Sequence, residues 1–198
     1  MLTIKANEII KKLLKDFAAK HTVSSISKEI GMTRVGVWKI LKKLESEKFI
    51  ILSQISSGKT SAYIMSLNWD NPLVEKTLAV LLAEESIKNQ RWLANFSELE
   101  KRVDFLIIYG SILTSSKEAN DIDIISVLSN KKNFIEIEKI VSITQKTQLK
   151  KIHSLNFTET EFKNELKKPN KAFIDAIKKG VVLFGQERFI KFIMGLAK

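Results

Sequence analysis

The chain has 198 residues, enough for one large or two small domains, and 44% of them are hydrophobic, which suffices for packed cores. It contains no cysteine, so disulfides, thiolate chemistry and cysteine-ligated zinc are excluded. The formal net charge of +11 favours polyanionic partners, nucleic acid above all. Apolar stretches are shorter than a membrane span, and the N-terminal residues become charged too early for a secretory signal. We therefore expect a cytoplasmic protein that does not enter a membrane.

The first third of the chain contains apolar residues at helical spacing. A first amphipathic helix is predicted around Ile9–Phe17. A second helix is predicted over Ser24–Ile30, followed by Gly31, a residue typical of the position after a helix end. Thr33 is suited to cap a third helix over Arg34–Glu47. Since a tight glycine-containing turn joins the second and third helices, the pattern predicts a helix-turn-helix.

A predicted β-hairpin follows these helices. Two apolar runs, 49–55 and 61–67, flank a short polar tip that contains Gly58 and Lys59. The order of helix, helix-turn-helix and hairpin resembles the winged helix-turn-helix DNA-binding domains of many regulators. The stretch VSSISKEIGMTRVGVWKILKKLESEKFI carries most of this resemblance. It implies double-stranded DNA as a partner and a homodimer that reads two half-sites, and we assign residues 1–70 to this domain.

The resemblance also implies which cations contact DNA. Arg34, near the start of the third helix, is expected to reach a base edge in the major groove. Lys39, Lys42 and Lys43 also lie off the buried stripe, and the last two are expected to contact phosphate. Lys59, at the tip of the hairpin, is expected to contact the DNA backbone or the minor groove. The alternative is a winged helix that serves protein contact, with these lysines in solvent.

The remaining chain is predicted to be a helical connector and an α/β-rich domain. Helical patterns over 73–90 and 91–103 lead us to assign residues 71–94 to the connector and 95–198 to the second domain. Strands and helices then alternate, so the expected fold class is α+β, with a mixed sheet flanked by helices. The predicted elements are strands at 105–109, 124–128, 149–155 and 181–184, and helices at 133–147, from 158 to near 169, at 171–179 and at 186–196.

The most informative stretch is Gly110-Ser111 followed, after the loop 112–120, by Asp121 and Asp123. Residues two apart in a strand face the same side, so the two aspartates project together while Ile122 faces the core. Paired carboxylates are hard oxygen ligands suited to Mg²⁺ or Mn²⁺. Gly110 permits close backbone approach, and Ser111, expected at a helix N-terminus, adds groups that bind phosphate. The combination predicts binding of a metal-bound nucleoside triphosphate (NTP).

The block YGS-ILTSSKEAN-DID, with apolar runs on both sides, resembles the signature of the DNA polymerase β-like nucleotidyltransferases, particularly their minimal branch. The resemblance covers about residues 95–190. It implies transfer of a nucleotidyl group from an NTP to a hydroxyl. Asp121 and Asp123 would be the catalytic and metal-binding residues, and Gly110 and Ser111 would hold the β- and γ-phosphates. The alternative is a surface turn and an edge strand whose acids face water.

The sequence departs from that family at a third carboxylate. Active relatives usually carry it on the strand after the next helix, but the stretch from Gln148 to Phe157 contains no acid, and Lys150, Lys151 and His153 stand there instead. A capping box that begins at Thr158 accounts for the next acids without catalysis. Two acids hold a metal and a triphosphate, whereas the third normally helps to bind the catalytic metal and to activate the acceptor.

Three functions remain open. The first is a DNA-binding transcriptional regulator whose second domain binds Mg²⁺–NTP as a sensor or serves as a degenerate scaffold. The second is an active nucleotidyltransferase that modifies a protein, a nucleic acid or a small molecule. The third is an antitoxin-like partner that works through protein contact. The predicted DNA reader favours the first function, and the intact Gly-Ser and Asp-x-Asp pattern favours the second.

Overall fold

The computed structural model describes residues 2–55, 62–168 and 171–196. The fold is α+β and divides into two compact units, Met1–Leu81 and Leu82–Lys198. The division falls within the segment that we expected to be a helical connector. Across the described ranges, the helices are all too short or too polar to cross a membrane.

The first unit contains the three predicted helices and a small antiparallel sheet of order β1-β3-β2. The two predicted hairpin strands pair antiparallel, which confirms their pairing. The strand β1 was not predicted, because two residues are too few to show a period. The predicted hairpin tip, with Lys59, lies outside the described residues. The elements are α1 (Ile4–Lys15), β1 (His21–Thr22), α2 (Val23–Glu29), α3 (Arg34–Ser46), β2 (Ile50–Gln54) and β3 (Tyr63–Leu67).

Local capping fixes the turn between α2 and α3. Thr22 and Ser25 form a capping box at the start of α2. After α2 ends, Gly31 adopts a φ of 65°, the left-handed conformation predicted for a residue beyond a helix end. The Thr33 side chain accepts a hydrogen bond of 3.1 Å from the Gly36 N–H, so the predicted N-cap of α3 is confirmed. These caps determine where α3 begins and therefore which residue stands at its exposed N-terminal end.

The second unit is built on a four-stranded mixed sheet of order β6-β5-β4-β7, in which only the β5–β6 pairing is parallel. The predicted helix over 91–103 is wrong in its second half, where a single 3₁₀ turn at Ser97–Leu99 replaces it. The weak strand predicted at 149–155 is displaced to Lys151–Thr158. The boundary between the two units falls within the first helix after the hairpin, α4. The remaining elements are α4 (Pro72–Ile87), α5 (Gln90–Asn95), β4 (Phe105–Tyr109), β5 (Asp121–Leu128), α6 (Phe134–Gln145), β6 (Lys151–Thr158), α7 (Glu159–Leu166), α8 (Ala172–Lys179), β7 (Val181–Phe184) and α9 (Gln186–Leu196).

Both faces of this sheet carry buried side chains. On one face, Ile122 and Ile124 belong to an apolar cluster that also contains Trp92 of α5 and Ile137 of α6. The opposite face carries Phe105, at the centre of an aromatic cluster. Its ring lies 6.3, 5.5 and 5.4 Å from the rings of the phenylalanines at positions 162, 189 and 192, which belong to α7 and α9. Burial on both faces explains why β4 and β7 are almost continuously apolar.

Gly185 and Gly195 provide a matched test of this packing. Gly185 follows β7 with a φ of 74°, and a Cβ there would lie 1.9 Å from the Asp104 carbonyl oxygen. A Cβ at Gly195, in α9, would meet no atom within 4 Å. We predict that Gly185→Ala lowers the free energy of unfolding by about 2–4 kcal/mol, whereas Gly195→Ala raises it by up to about 1 kcal/mol. Urea unfolding followed by circular dichroism checks both values, and equal effects would contradict the packing described here.

Candidate functional site

Asp121 and Asp123 open β5 on one face of the sheet of the second unit. Ile122 and Ile124, which alternate with them, are 1% and 0% exposed, so the predicted alternation of aspartates and core isoleucines over 121–124 is confirmed. The aspartate side chains remain 42% and 28% exposed. Asp123 pairs in antiparallel register with Tyr109, the last residue of β4. The carboxylates thus stand beside the point where β4 ends.

Gly110 lies directly against one of these carboxylates. Its backbone has φ 86° and ψ −167°, and a Cβ would lie only 2.6 Å from Oδ2 of Asp123. A side chain at this position would therefore collide with the carboxylate and strain the backbone. The backbone of Gly110 closely approaches Asp123, which brings the Gly-Ser turn and the Asp-x-Asp strand together.

The chain after Gly110 forms a single 3₁₀ turn, Ser111–Leu113, rather than an α-helix that begins at Ser111. Its first hydrogen bond runs from the Leu113 N–H to the Gly110 carbonyl (3.3 Å), so the N–H groups of Ser111 and Ile112 precede the bonded part of the turn. So short a turn has no sizeable macrodipole. Any phosphate held here would depend on individual N–H groups and on the Ser111 hydroxyl.

Lys150 anchors the loop between the two halves of the site. Its Nζ donates hydrogen bonds to the carbonyls of Ala119 and, at 3.4 Å, of Lys117. Lys150 comes immediately before β6, so this contact ties the loop to the edge strand. In the sequence, Lys150 was noted only as one of the basic residues in the stretch where a third acid was expected. Its structural role could not be predicted, because Lys150 and the loop that it contacts are remote in sequence and come together only in the fold.

The position expected for a third carboxylate is occupied by basic residues. In the parallel pairing of β5 with β6, Asp121 lies opposite Lys151 and Asp123 lies opposite His153. The Nδ1 of His153 is 3.4 Å from Oδ1 of Asp123 and 3.9 Å from Oδ2 of Asp121. The aspartates therefore have a basic neighbour that the sequence did not place beside them.

The donor set fits one hard cation. Within the described part of the chain, no group of three or more His, Cys, Asp or Glu side chains is arranged to hold a metal ion. Mg²⁺, however, is commonly held by one or two carboxylates, with waters and substrate phosphates as its other ligands. Asp121 and Asp123 are partly exposed and share one strand face, so they supply that minimal set. They do not supply the ligands of a second metal.

Glu161 has a structural role at the start of α7. The N–H and the hydroxyl of Thr158 donate hydrogen bonds of 2.9 and 2.8 Å to its Oε2, and Lys131 forms an ion pair with Oε1. The bond from Lys131, followed by those from Thr158, lowers the pKa of Glu161 to about 2. The predicted capping box is confirmed. This acid is therefore committed to the helix start and not to a metal.

Tyr109 is a neighbour of the site that sequence reasoning missed. Burial raises the pKa of its phenol, and the negative charge of Asp123 raises it further. A phenol is already protonated at neutral pH and can donate a hydrogen bond, and the raised pKa makes this side chain harder still to deprotonate. The available sequence signal was its place directly before Gly110 in the block YGS-ILTSSKEAN-DID, whereas its pairing with Asp123 appears only in the structure.

The predicted DNA contacts in α3 lie along two lines of the helix surface. Arg34 is the first residue of α3, and it is followed at i+4 and i+8 by Trp38 and Lys42. Lys39 and Lys43 form a second line, four residues apart. These four cations are exposed, so each is accessible to a polyanion. Lys42 Nζ also lies 5.1 Å from the centre of the Trp38 ring.

Two of these cations have neighbours of opposite charge within α3 and its cap. Lys42 forms a 2.7 Å ion pair with Glu45, and Lys43 lies 3.8 Å from Glu47. These contacts are exposed and weak, so phosphate can compete with them. Lys59, the fifth predicted contact, lies outside the described residues.

Comparisons with protein-family models, with curated proteins and with solved structures give no match to this chain. The functional interpretation therefore depends on the geometry of the two regions described above. In the second unit, Gly110, Asp121 and Asp123 come together with Tyr109 and His153 around the end of β4. In the first unit, exposed cations lie along α3.

Gly110→Ala tests whether the Gly110–Asp123 contact shapes a metal site. The added Cβ would displace the Asp123 carboxylate, so we predict that affinity for Mn²⁺ with a non-hydrolysable NTP analogue falls about 10–100-fold. Gly31→Ala is the matched control, because Gly31 also has a positive φ of 65° but a Cβ added there would meet no atom within 4 Å. Electron paramagnetic resonance of free Mn²⁺ measures both affinities. Equal affinity in the two variants would contradict the assignment.

Proposed function

We propose that this chain is a DNA-binding transcriptional regulator with a nucleotide-responsive second domain. The first unit would be a winged helix-turn-helix that binds double-stranded DNA. The second unit would be a nucleotidyltransferase-fold domain that binds Mg²⁺–NTP. The observation that carries the nucleotide half is the contact of the Gly110 backbone with Asp123, because it combines a phosphate-accessible turn and a carboxylate pair in one place.

The chemistry of the second unit follows from its donors. Asp121 and Asp123 would hold Mg²⁺, which would neutralise phosphate charge and leave its remaining positions to water and phosphate oxygens. The backbone at Gly110 and the hydroxyl of Ser111 would contact the β- and γ-phosphates. Tyr109, kept protonated beside Asp123, would orient that carboxylate or a water by donating a hydrogen bond.

The basic residues on β6 favour binding over catalysis. A second metal and a general base normally require a further carboxylate at this position, but Lys151 and His153 stand opposite the aspartates. The positive charge of Lys151 can support binding of a triphosphate, and its ammonium group cannot serve as a metal ligand. Loss of general-base help alone costs about 10²–10⁴-fold in rate. The proposed function is therefore a nucleotide sensor or a scaffold coupled to DNA binding.

The alternative is an active nucleotidyltransferase, and the intact Gly-Ser and Asp-x-Asp pattern favours it. The acceptor would be a hydroxyl on a protein, a nucleic acid or a small molecule, and an antitoxin-like role would involve a protein partner. The two functions differ in a measurable product, because only transfer releases pyrophosphate from the NTP.

The DNA half is supported by the exposed cations of α3, with Arg34 at its N-terminal end and lysines further along. Recognition helices place their N-terminal residues against base edges and use the remaining cations on phosphate. The caps that start α3 at Arg34 thus give this residue the position of a base-reading side chain.

Duplex binding should depend strongly on salt, because lysine and arginine contacts release condensed counterions. Arg34→Ala should weaken binding by about 1–3 kcal/mol and reduce sequence preference, whereas Lys59→Ala should mainly lower the salt slope by about 1. Lys139→Ala, which removes an exposed charge from α6, is the matched control. Fluorescence anisotropy across a salt series measures all four proteins. Wild-type behaviour in both Arg34→Ala and Lys59→Ala would overturn this half of the proposal.

Nucleotide binding should require both aspartates. We predict that the double variant Asp121→Asn, Asp123→Asn loses Mg²⁺-dependent binding of a non-hydrolysable NTP analogue and retains duplex DNA binding, because the metal's anchor is removed without a core cavity. Glu159→Gln, at the exposed start of α7, is the control and should bind as wild type. Isothermal titration calorimetry measures the affinities, and unchanged metal-dependent affinity in the double variant would contradict the site.

Pyrophosphate release from natural NTPs, measured with the wild type and with Asp121→Asn, separates the two functions. If the chain is a regulator, the isolated protein should show weak or no turnover with each NTP in the presence of Mg²⁺ or Mn²⁺ and candidate acceptors. Robust multiple turnover that disappears in Asp121→Asn would instead establish the enzyme, and Glu159 would then be the first acid to re-examine.

A further inference from the structure

The first unit contains a pocket of about 460 Å³ that shares Arg34 with the proposed duplex contacts and is otherwise lined by residues outside them. Its lining includes Ser24 of α2, Arg34 and Trp38 of α3, and Tyr63 at the start of β3. Its volume lies within the range of small-molecule binding sites. The pocket opens beside the N-terminal end of α3, where Arg34 is exposed.

One wall of the pocket is aromatic. The rings of Trp38 and Tyr63 lie 5.2 Å apart and are inclined at 46°, and both side chains are only partly buried. Lys42 Nζ stands 5.1 Å from the centre of the Trp38 ring, which adds a second cation next to this wall. An inclined pair of half-exposed rings offers flat apolar surface to a planar ligand, and its neighbouring cations favour negative charge.

The polar part of the pocket is basic. Arg34 contributes a guanidinium, and the lining residues of the described chain include no acid. A guanidinium binds phosphate oxygens in a bidentate manner, and Ser24 adds an exposed hydroxyl. A ligand complementary to this surface would combine a planar ring system with a phosphate group.

We propose that this pocket binds a nucleobase together with its attached phosphate. The base would lie against Trp38 and Tyr63, and the phosphate would contact Arg34. The ligand could be supplied as a free nucleotide or as an unpaired base of a nucleic-acid strand, since aromatic side chains and cations bind both. A base within a duplex is stacked and paired, so intact duplex leaves the aromatic wall unused.

This inference goes beyond the proposed function, since it concerns neither Asp121 nor Asp123 and requires no metal. Three ligands distinguish the sources: a nucleoside monophosphate, a labelled single-stranded oligonucleotide and a duplex of the same sequence. All are titrated into the full chain in EDTA, which chelates the metal ions that the proposed site in the second unit would require. Affinities are measured by calorimetry for the monophosphate and by anisotropy for the oligonucleotides.

We expect Trp38→Leu and Tyr63→Leu each to weaken binding of the pocket's ligand by about 5–150-fold, the range for loss of one base–aromatic contact. Tyr63→Leu should leave duplex affinity within about twofold, because Tyr63 is not among the proposed duplex contacts. Trp69→Leu, which removes a tryptophan outside the pocket lining, should bind as wild type. If Trp38→Leu and Tyr63→Leu lose binding of the monophosphate, the ligand is a free nucleotide. If these variants lose binding of the single strand alone, the ligand is an unpaired base.

A second measurement does not depend on the folding of these variants. Stacking on Trp38 should quench tryptophan fluorescence in the wild type, and the quenching should persist in Trp69→Leu. The proposal is overturned if neither the monophosphate nor the single strand binds wild type in EDTA, or if Trp38→Leu and Tyr63→Leu bind as tightly as Trp69→Leu. If the wild type binds duplex DNA but the pocket's ligands do not bind, the pocket proposal is wrong while the proposed DNA-binding function stands.

Discussion

The register of β4 (Phe105–Tyr109) against β5 (Asp121–Leu128) is the constraint on which the candidate metal site depends. It sets Tyr109 opposite Asp123 and brings Gly110 against the Asp123 carboxylate. A slip of one residue would turn both aspartates into the apolar cluster and expose Ile122, which lies between them. Because buried, unpaired carboxylates are costly, packing on both faces of the sheet holds the carboxylates at its partly exposed end.

The edge strand β6 (Lys151–Thr158) determines what that site can do. Its parallel pairing sets His153 opposite Asp123 and within 3.4 Å of it, where catalysis by two metals would require another carboxylate. Two acids beside a glycine turn are sufficient for one Mg²⁺ with phosphate and water ligands. In the proposed function, the second unit therefore responds to nucleotide rather than consuming it, and the cations of α3 in the first unit provide contact with DNA.

Several features could be predicted from sequence because they depend on short-range patterns. The alternation of Asp121, Ile122 and Asp123, the cap at Thr33 and the capping box at Thr158 are all confirmed. Features that require remote segments were not predictable. The carboxylate that Gly110 contacts and the anchoring of the loop by Lys150 depend on pairing between strands. The chain also forms a 3₁₀ turn at Ser111–Leu113 where the sequence predicted a helix.

The central claim is that Asp121 and Asp123 hold the metal of a bound NTP. Its most direct test is anomalous diffraction from crystals of the full chain grown with Mn²⁺ and a non-hydrolysable NTP analogue. The account predicts a manganese peak within coordination distance of both carboxylates, with phosphate oxygens beside the backbone of Gly110 and Ser111. A manganese–nucleotide complex bound elsewhere in the second unit, with neither aspartate as a ligand, would contradict it.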